Sequence, residues 1–190
     1  MTMQEHTKSE ILEQAGDVLS ASRSILITAG AGMGVDSGLP DFRGPEVFWR
    51  AYPPIKELGL NFSQMSTPRC FSEDPPLAGG FFGHRLGLYR AAVPHRGYEV
   101  LRDWTAKKSH FVFTTNVDGP FKRTGYESDG ICEAHGTIHH LQCIDNTGHM
   151  DVWPVGTIAV EIDESTKRAT GELPLSALWW HRTAQYCDVW

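Results

Sequence analysis

An α/β fold built on a parallel sheet is predicted by three features of the chain. Short apolar runs of strand type lie at residues 24–28, 111–115 and 131–134. Segments of helical periodicity, at 8–21, 77–93 and 98–107, are interleaved with them. The first of these strands runs straight into a Gly-rich turn, as a strand does when it delivers the chain to the edge of an open sheet.

Thr7-Lys8-Ser9-Glu10 has the spacing of a capping box. Ile11, Leu12, Ala15, Val18 and Leu19 follow at helical period, which predicts an amphipathic helix over 8–21. Ser24 to Thr28 reads as a buried parallel strand. Residues 33–76 carry Pro40, Pro45, Pro53, Pro54, Pro68, Pro75 and Pro76, so short helices fit there and one long element does not. Leu77 to Val93 reads as a helix whose apolar surface comes from Phe81, Phe82, Leu86, Leu88 and Tyr89. Gly79, Gly80, Gly83 and Gly87 weaken it, and Pro94 ends it. Tyr98 to Lys107 gives a further helix, with Leu101 and Trp104 as expected core contacts. The helical signal is lost over 141–175, where Val152-Trp153 and Ile158 to Ile162 suit short strands of a satellite module.

The 190 residues suffice for one domain with a real core, or a domain with a small insertion. A net charge of −6 argues against a general nucleic-acid binder, whose footprint is basic. No apolar run approaches membrane-spanning length, and the polar start Met1 to His6 lacks the apolar core of a signal peptide. No membrane partner and a cytoplasmic location are the expectations. Cys70, Cys132, Cys143 and Cys187 form no Cys-x-x-Cys pair, and reduced thiols, some buried, account for them.

Three sites carry chemistry. The run Gly30-Ala31-Gly32-Met33-Gly34 leads through a Gly-rich loop to Pro40-Asp41-Phe42-Arg43-Gly44. Glycines after a strand let backbone N–H groups approach a pyrophosphate. Taken alone the run is also an ordinary Gly-rich turn. Thr114-Thr115-Asn116-Val117-Asp118-Gly119 closes the second strand, and Asn116 and Asp118, two apart, point the same way on extended backbone. A plain Asn/Asp capping turn reads equally from these residues. His135-Gly136 follows the third strand and offers a general base at the same crevice. A lone histidine is more often structural, and His139 and His140 are close by.

Together these motifs resemble the sirtuin family of NAD-dependent protein deacylases, over about Ile25 to Cys143. The family order is a Gly-Ala-Gly loop leading to Pro-Asp-Phe-Arg, a Thr-Gln-Asn-(Ile/Val)-Asp strand end, then His-Gly. The resemblance implies a Rossmann-like parallel sheet with helices and a small zinc-module-like insertion, here partial and degenerate. It implies that Gly30, Ala31 and Gly32 cradle the phosphates of NAD, a co-substrate that is consumed. Asp41, Phe42 and Arg43 then belong to the cofactor loop, Asn116 and Asp118 hold the nicotinamide carboxamide, and His135 takes a proton from the ribose hydroxyls. The implied partner is an acylated lysine in a peptide or protein.

Several positions depart from the family pattern. Thr115 replaces a ribose-contacting Gln, which favours NAD hydrolysis or ADP-ribosyl transfer as an alternative. Gly34 stands where many members carry Ser. Only Cys143 remains of the zinc cysteines, so four-thiolate zinc is not expected and no metal ligand set is assigned; His139, His140 and His149 are poor substitutes. Trp49, Tyr52 and Phe62 suit either an acyl pocket or the core.

The expected organisation is an NAD-binding core over 1–140, a zinc-module remnant over 141–175 and a tail over 176–190 that fits no family element. The codons of Trp179-Trp180, read one nucleotide later, encode Gly-Gly, so residues after about Leu175 are expected to derive from a frameshift. A sheet short of strands would leave an open edge, an uncovered apolar face and marginal stability. A non-catalytic NAD-binding fragment is the remaining alternative. An ordinary dinucleotide dehydrogenase is disfavoured, because the acidic ribose ligand expected about 20 residues past the glycines is not obvious in the proline-rich stretch around Tyr52 to Lys56.

Overall fold

The computed structural model describes residues 7–41, 44–142 and 152–171. The expected tail, Cys143, His149, Phe42 and Arg43 lie outside the described residues.

Helix α1 (Lys8–Ala21) begins at its capping box: Glu10 N–H donates to Thr7 Oγ1 at 3.4 Å, and Thr7 N–H to Glu10 Oε2 at 2.8 Å. The amphipathic pattern does not bury its apolar stripe, however. Ile11, Leu12 and Val18 are all more than half exposed. The helix end is held by Lys108, whose Nζ donates to Ser20 O at 2.9 Å and Ser22 O at 2.7 Å.

Strands β1 (Ser24–Ala29), β2 (Ser109–Thr114) and β3 (Ile131–Glu133) form a parallel sheet in the order β1-β2-β3. Ser24 pairs with Ser109 and Ala29 with Thr114; Thr114 pairs in turn with Glu133. Because side chains alternate, Ile25, Ile27, Ala29 and Val112 share one face. They pack there against Tyr98, Leu101, Phe121 and Tyr126. The opposite face is open: Leu26 is 65% and Phe113 41% exposed. β1 is thus parallel, as its sequence predicts, but buried on one face only. The packed face is covered by α7 (Arg96–Thr105) and α8 (Pro120–Arg123). Tyr98, not Trp104, anchors α7 in the core, since Trp104 is 51% exposed.

Between β1 and α7 the prolines start helices rather than merely breaking them. Pro stands at the first turn of α2 (Pro45–Ala51), α3 (Pro53–Glu57), α5 (Pro68–Glu73) and α6 (Pro75–Ala91), where its missing N–H costs nothing. Helix α4 (Phe62–Met65) is capped by Asn61. These helices enclose a second core, in which Phe48, Tyr52, Phe62 and Phe81 make edge-on and tilted ring contacts 5.3–6.1 Å apart. Tyr52 is a core residue, fully buried there and bonded to His84 Nδ1 at 2.8 Å, and the partly buried Trp49 packs against that core and donates to Leu60 O.

The segment after the third strand makes β4 (His140–Gln142), paired antiparallel with β5 (Val152–Pro154), and a hairpin of β6 (Ile162–Asp163) and β7 (Arg168–Ala169). Val152-Trp153 is a strand, as expected; of Ile158 to Ile162 only Ile162 is, since Arg90 takes the main-chain oxygens of Gly156 and Ile158, each at 2.6 Å. The hairpin lies directly on α6. Arg168 grips both oxygens of Asp74, each at 2.7 Å. A Cβ on Gly80 would stand 2.1 Å from Lys167 O, and one on Gly83 would stand 2.5 Å from Val160. These glycines read as helix weakeners; they are the notch that admits the hairpin.

Gly80→Ala is expected to destabilise the fold by about 1–3 kcal/mol, as overpacking does. Gly87→Ala, on the same helix with nothing within 4 Å, is expected to stabilise it by about 0.5–1 kcal/mol. Urea denaturation of both variants checks this, and an unaffected Gly80→Ala protein would contradict the docking.

Candidate active site

A pocket of about 300 Å³ opens at the carboxyl ends of β1, β2 and β3. Ala31, Gly34 and Asp41 come to it from the loop after β1, Thr115, Asn116 and Asp118 from the loop after β2, and His135 from the loop after β3. The three sequence-predicted sites therefore share one cavity. Gly30 and Gly32 stand beside it: Gly30 caps a 3-10 segment over Ala31–Ser37 that contains Gly32. Phe42 and Arg43 lie outside the described residues.

Each loop is tied down. His95 braces the Gly-rich segment. Its N–H donates to Ser37 Oγ at 3.0 Å, and its Nδ1 accepts from Gly97 N–H at 3.0 Å. That leaves Nε2–H to donate to Met33 O at 2.9 Å. Asn116 links the first two loops, because its Nδ2 donates to Gly30 O at 2.9 Å and its own N–H to Thr114 Oγ1 at 3.0 Å. One of its two amide hydrogens is thereby used, and its side-chain oxygen can accept from a ligand.

Asp118 is the unusual group. It is buried, and among the described residues its Oδ1 has no hydrogen-bond partner. A buried carboxylate oxygen without a donor is costly. Burial raises the Asp118 carboxyl above the usual aspartate range, and the nearby Glu133 adds to the rise, against the opposing pull of its own main chain, Arg123 and Arg85. Glu133 itself is paired with Lys122 Nζ at 2.5 Å. His135 is exposed to solvent at the pocket.

Two further residues face the cavity that the sequence did not assign to the site. Arg85 and Tyr89 lie one turn apart on α6, and both line the pocket. The Arg85 guanidinium is buried, 5.1 Å from the Phe62 ring and 5.2 Å from that of Phe81, and it donates through Nε and Nη2 to Tyr89 Oη at 3.1 and 3.0 Å. Among the described residues no carboxylate lies in ion-pair contact with it. The available signal was an arginine inside an apolar helix, Phe81-Phe82 to Leu86. Phe62 also lines the pocket, which makes it wall as well as core.

Among the described residues no three His, Cys, Asp or Glu side chains converge as a metal site would require. No helix among them is long and apolar enough to cross a membrane.

A parallel α/β sheet with Gly-rich, Asn/Asp and His loops gathered over its strand ends defines a ligand-cleft protein of the Rossmann-like class. The chain belongs to the Sir2 family, whose family model matches residues 30–169. It is 32% identical to a protein of Candida albicans named NAD-dependent protein deacylase, over 70% of this chain and 42% of that protein. It is 33% identical to NAD-dependent protein deacylase 2 of Pyrobaculum aerophilum, over 67% of this chain and 48% of the relative. The chain thus spans about half the length of the curated relatives it matches. Among solved structures, a Sir2 homologue mutant in complex with ADP-ribose superposes with a TM-score of 0.62 at 20% identity, covering 83% of this chain and 60% of that one. A Sir2 homologue–NAD complex gives 0.59 at 19% identity, covering 89% and 61%. At this identity the likeness is one of fold.

The burial of Asp118 has a pH consequence. A carboxyl whose folded-state pKa is raised supports the fold below the ordinary aspartate range and loses that support as pH rises through its raised value. Asp118→Asn is therefore expected to flatten the fall in stability above that range. At pH 7 it should raise the melting temperature by roughly 2–4 °C, for about 1 kcal/mol of relieved burial cost. Thermal melts of both proteins from pH 4 to pH 8 check it.

Proposed function

We propose that this cleft binds NAD and consumes it in removing acyl groups from lysine side chains. The observation that carries the reading is the unpartnered, buried Oδ1 of Asp118 in a pocket shared with Asn116 and His135. A carboxamide NH2 supplies the donor that oxygen lacks, while the Asn116 oxygen can accept a second hydrogen. NAD bound there supplies an electrophilic anomeric carbon with nicotinamide as its leaving group. Gly30, Ala31 and Gly32 form the turn assigned to the phosphates, and Asp41 lines the pocket beside them. His135, at the solvent side, takes the ribose hydroxyl proton once the acyl oxygen has attacked. Apolar walls at Leu39, Phe82 and Ile138 keep water from competing. In the sequence pattern, Phe42 and Arg43 complete the cofactor loop.

The partner is an acylated lysine peptide, and a cytoplasmic setting suits the buried cysteines Cys70 and Cys132, neither of which is in a disulfide among the described residues. Arg85 favours a particular acyl class. A buried guanidinium with no carboxylate in ion-pair contact among the described residues, and with Asp118 acting on it only from farther away, calls for an anion, so an acyl chain ending in a carboxylate fits this pocket better than acetyl.

The test is nicotinamide release from NAD with and without acylated peptide. Peptide-dependent release is expected, and His135→Ala should slow it by about 10²–10⁴-fold. Release that ignores the peptide would instead mark an NAD hydrolase or ADP-ribosyl transferase, the alternative that Thr115 favours. Equal background turnover in wild type and variant would mark a non-catalytic NAD-binding chain. Arg85→Met is expected to weaken kcat/KM for a succinyl-lysine peptide on the order of 10²-fold and to spare the acetyl peptide.

A further inference from the structure

We infer that His139 is a positioning residue, which holds the Asp118-Gly119 turn so that the Asp118 carboxyl stays in the pocket although its Oδ1 has no partner among the described residues. An orphaned buried carboxylate pulls its own chain toward water, so something must hold the main chain against that pull. The structure shows what does. Ile138 N–H donates to Val117 O at 3.0 Å, and His139 Nε2 lies 2.9 Å from Asp118 O. A carbonyl oxygen only accepts, so Nε2 carries the hydrogen. Two successive carbonyls of the loop after β2 are thus held by two successive residues of the loop after β3.

The imidazole also limits the next residue. Gly119 has φ +72°, in the left-handed region, and a Cβ there would sit 3.0 Å from His139 Cδ2. The ring packs beneath the turn while its nitrogen binds the carbonyl just before it. The His139 N–H in turn donates to Thr137 Oγ1 at 3.4 Å. Burial lowers the His139 pKa, with Arg123 and Arg90 acting the same way, against the opposing influence of the Asp118 main chain and Glu133. The clamp does not depend on the ring's charge, since Nε2 is a donor in either form. Nothing in the sequence marks His139 off from His140 beside it; the fold makes the difference.

The link from this clamp to chemistry rests on the proposed meeting of Asp118 with the nicotinamide carboxamide. The test uses His139→Leu, which keeps bulk and removes the donor, and His139→Gln, which restores a donor. The first readout is hydrogen exchange across residues 115–121 in the full chain without NAD. The second is the KM for NAD and the inhibition by nicotinamide. His139→Leu is expected to speed exchange in that segment and to raise both constants about tenfold with little change in kcat, the effect of one lost hydrogen bond. His139→Gln is expected to lie close to wild type in both. Unchanged exchange in His139→Leu overturns the proposal, as does faster exchange with unaltered constants or an equal defect in His139→Gln. Should His139→Leu fail to fold, His139→Ala removes the same donor and is expected to show the same pair of changes. If the wild-type chain consumes no NAD, the functional reading fails, and the exchange measurement still decides whether His139 holds the turn.

Discussion

The register of β1 on β2 is the constraint from which the site follows. Ala29 stands opposite Thr114, so the two chains leave the sheet level with each other. The ladder continues one step past the strands, where Thr115 N–H donates to Ala29 O at 3.1 Å. Asn116 then reaches Gly30 with its side chain. A slip of one residue would turn Ile27 and Val112 away from Tyr98 and present the wrong faces throughout. Packing on the covered face therefore fixes register, and register sets the loops side by side. β3 extends the rule: Glu133 opposite Thr114 brings the loop that carries His135 to the same level.

The other face of the sheet bears the cost of this arrangement. Parallel sheets are normally covered on both sides. Here Leu26 and Phe113 are open, and the apolar stripe of α1 is open as well. The hydrophobic stabilisation of the described residues thus comes from one sheet face and from the aromatic core between α2 and α6. That second core is larger and lies farther from the strands. It supports the pocket wall through Phe62, Phe82 and Arg85.

Local signals carried much of this fold in the sequence. The capping box at Thr7 and Glu10 gave the start of α1, and short apolar runs gave all three strands of the sheet. The proline-rich stretch was legible as short helices, since proline is at home in a first turn. Motif order placed the three loops of the site, and the shared pocket accords with it. What escaped depended on long-range partners. Trp104 sits on the helical stripe of α7, but burial there belongs to Tyr98. Arg85 was hidden in an apolar helix because its cage, Phe62 and Phe81, is assembled from two elements. The bond from Asn116 to Gly30 spans residues 86 apart, and no periodicity announces it.

Helix α6 carries two stripes with one spacing. Gly80 and Gly83 receive the β6–β7 segment, and Gly87 continues their line; Phe82, Arg85 and Tyr89 look into the cavity. The second stripe is the first displaced by two residues, which on a helix is roughly half a revolution. α6 is therefore a partition only one backbone thick, with a hairpin seated against its outer side and ligand space on its inner side. The hairpin and the pocket thus share one helix, and Arg168 fastens the hairpin to Asp74 at that helix's N-terminal end.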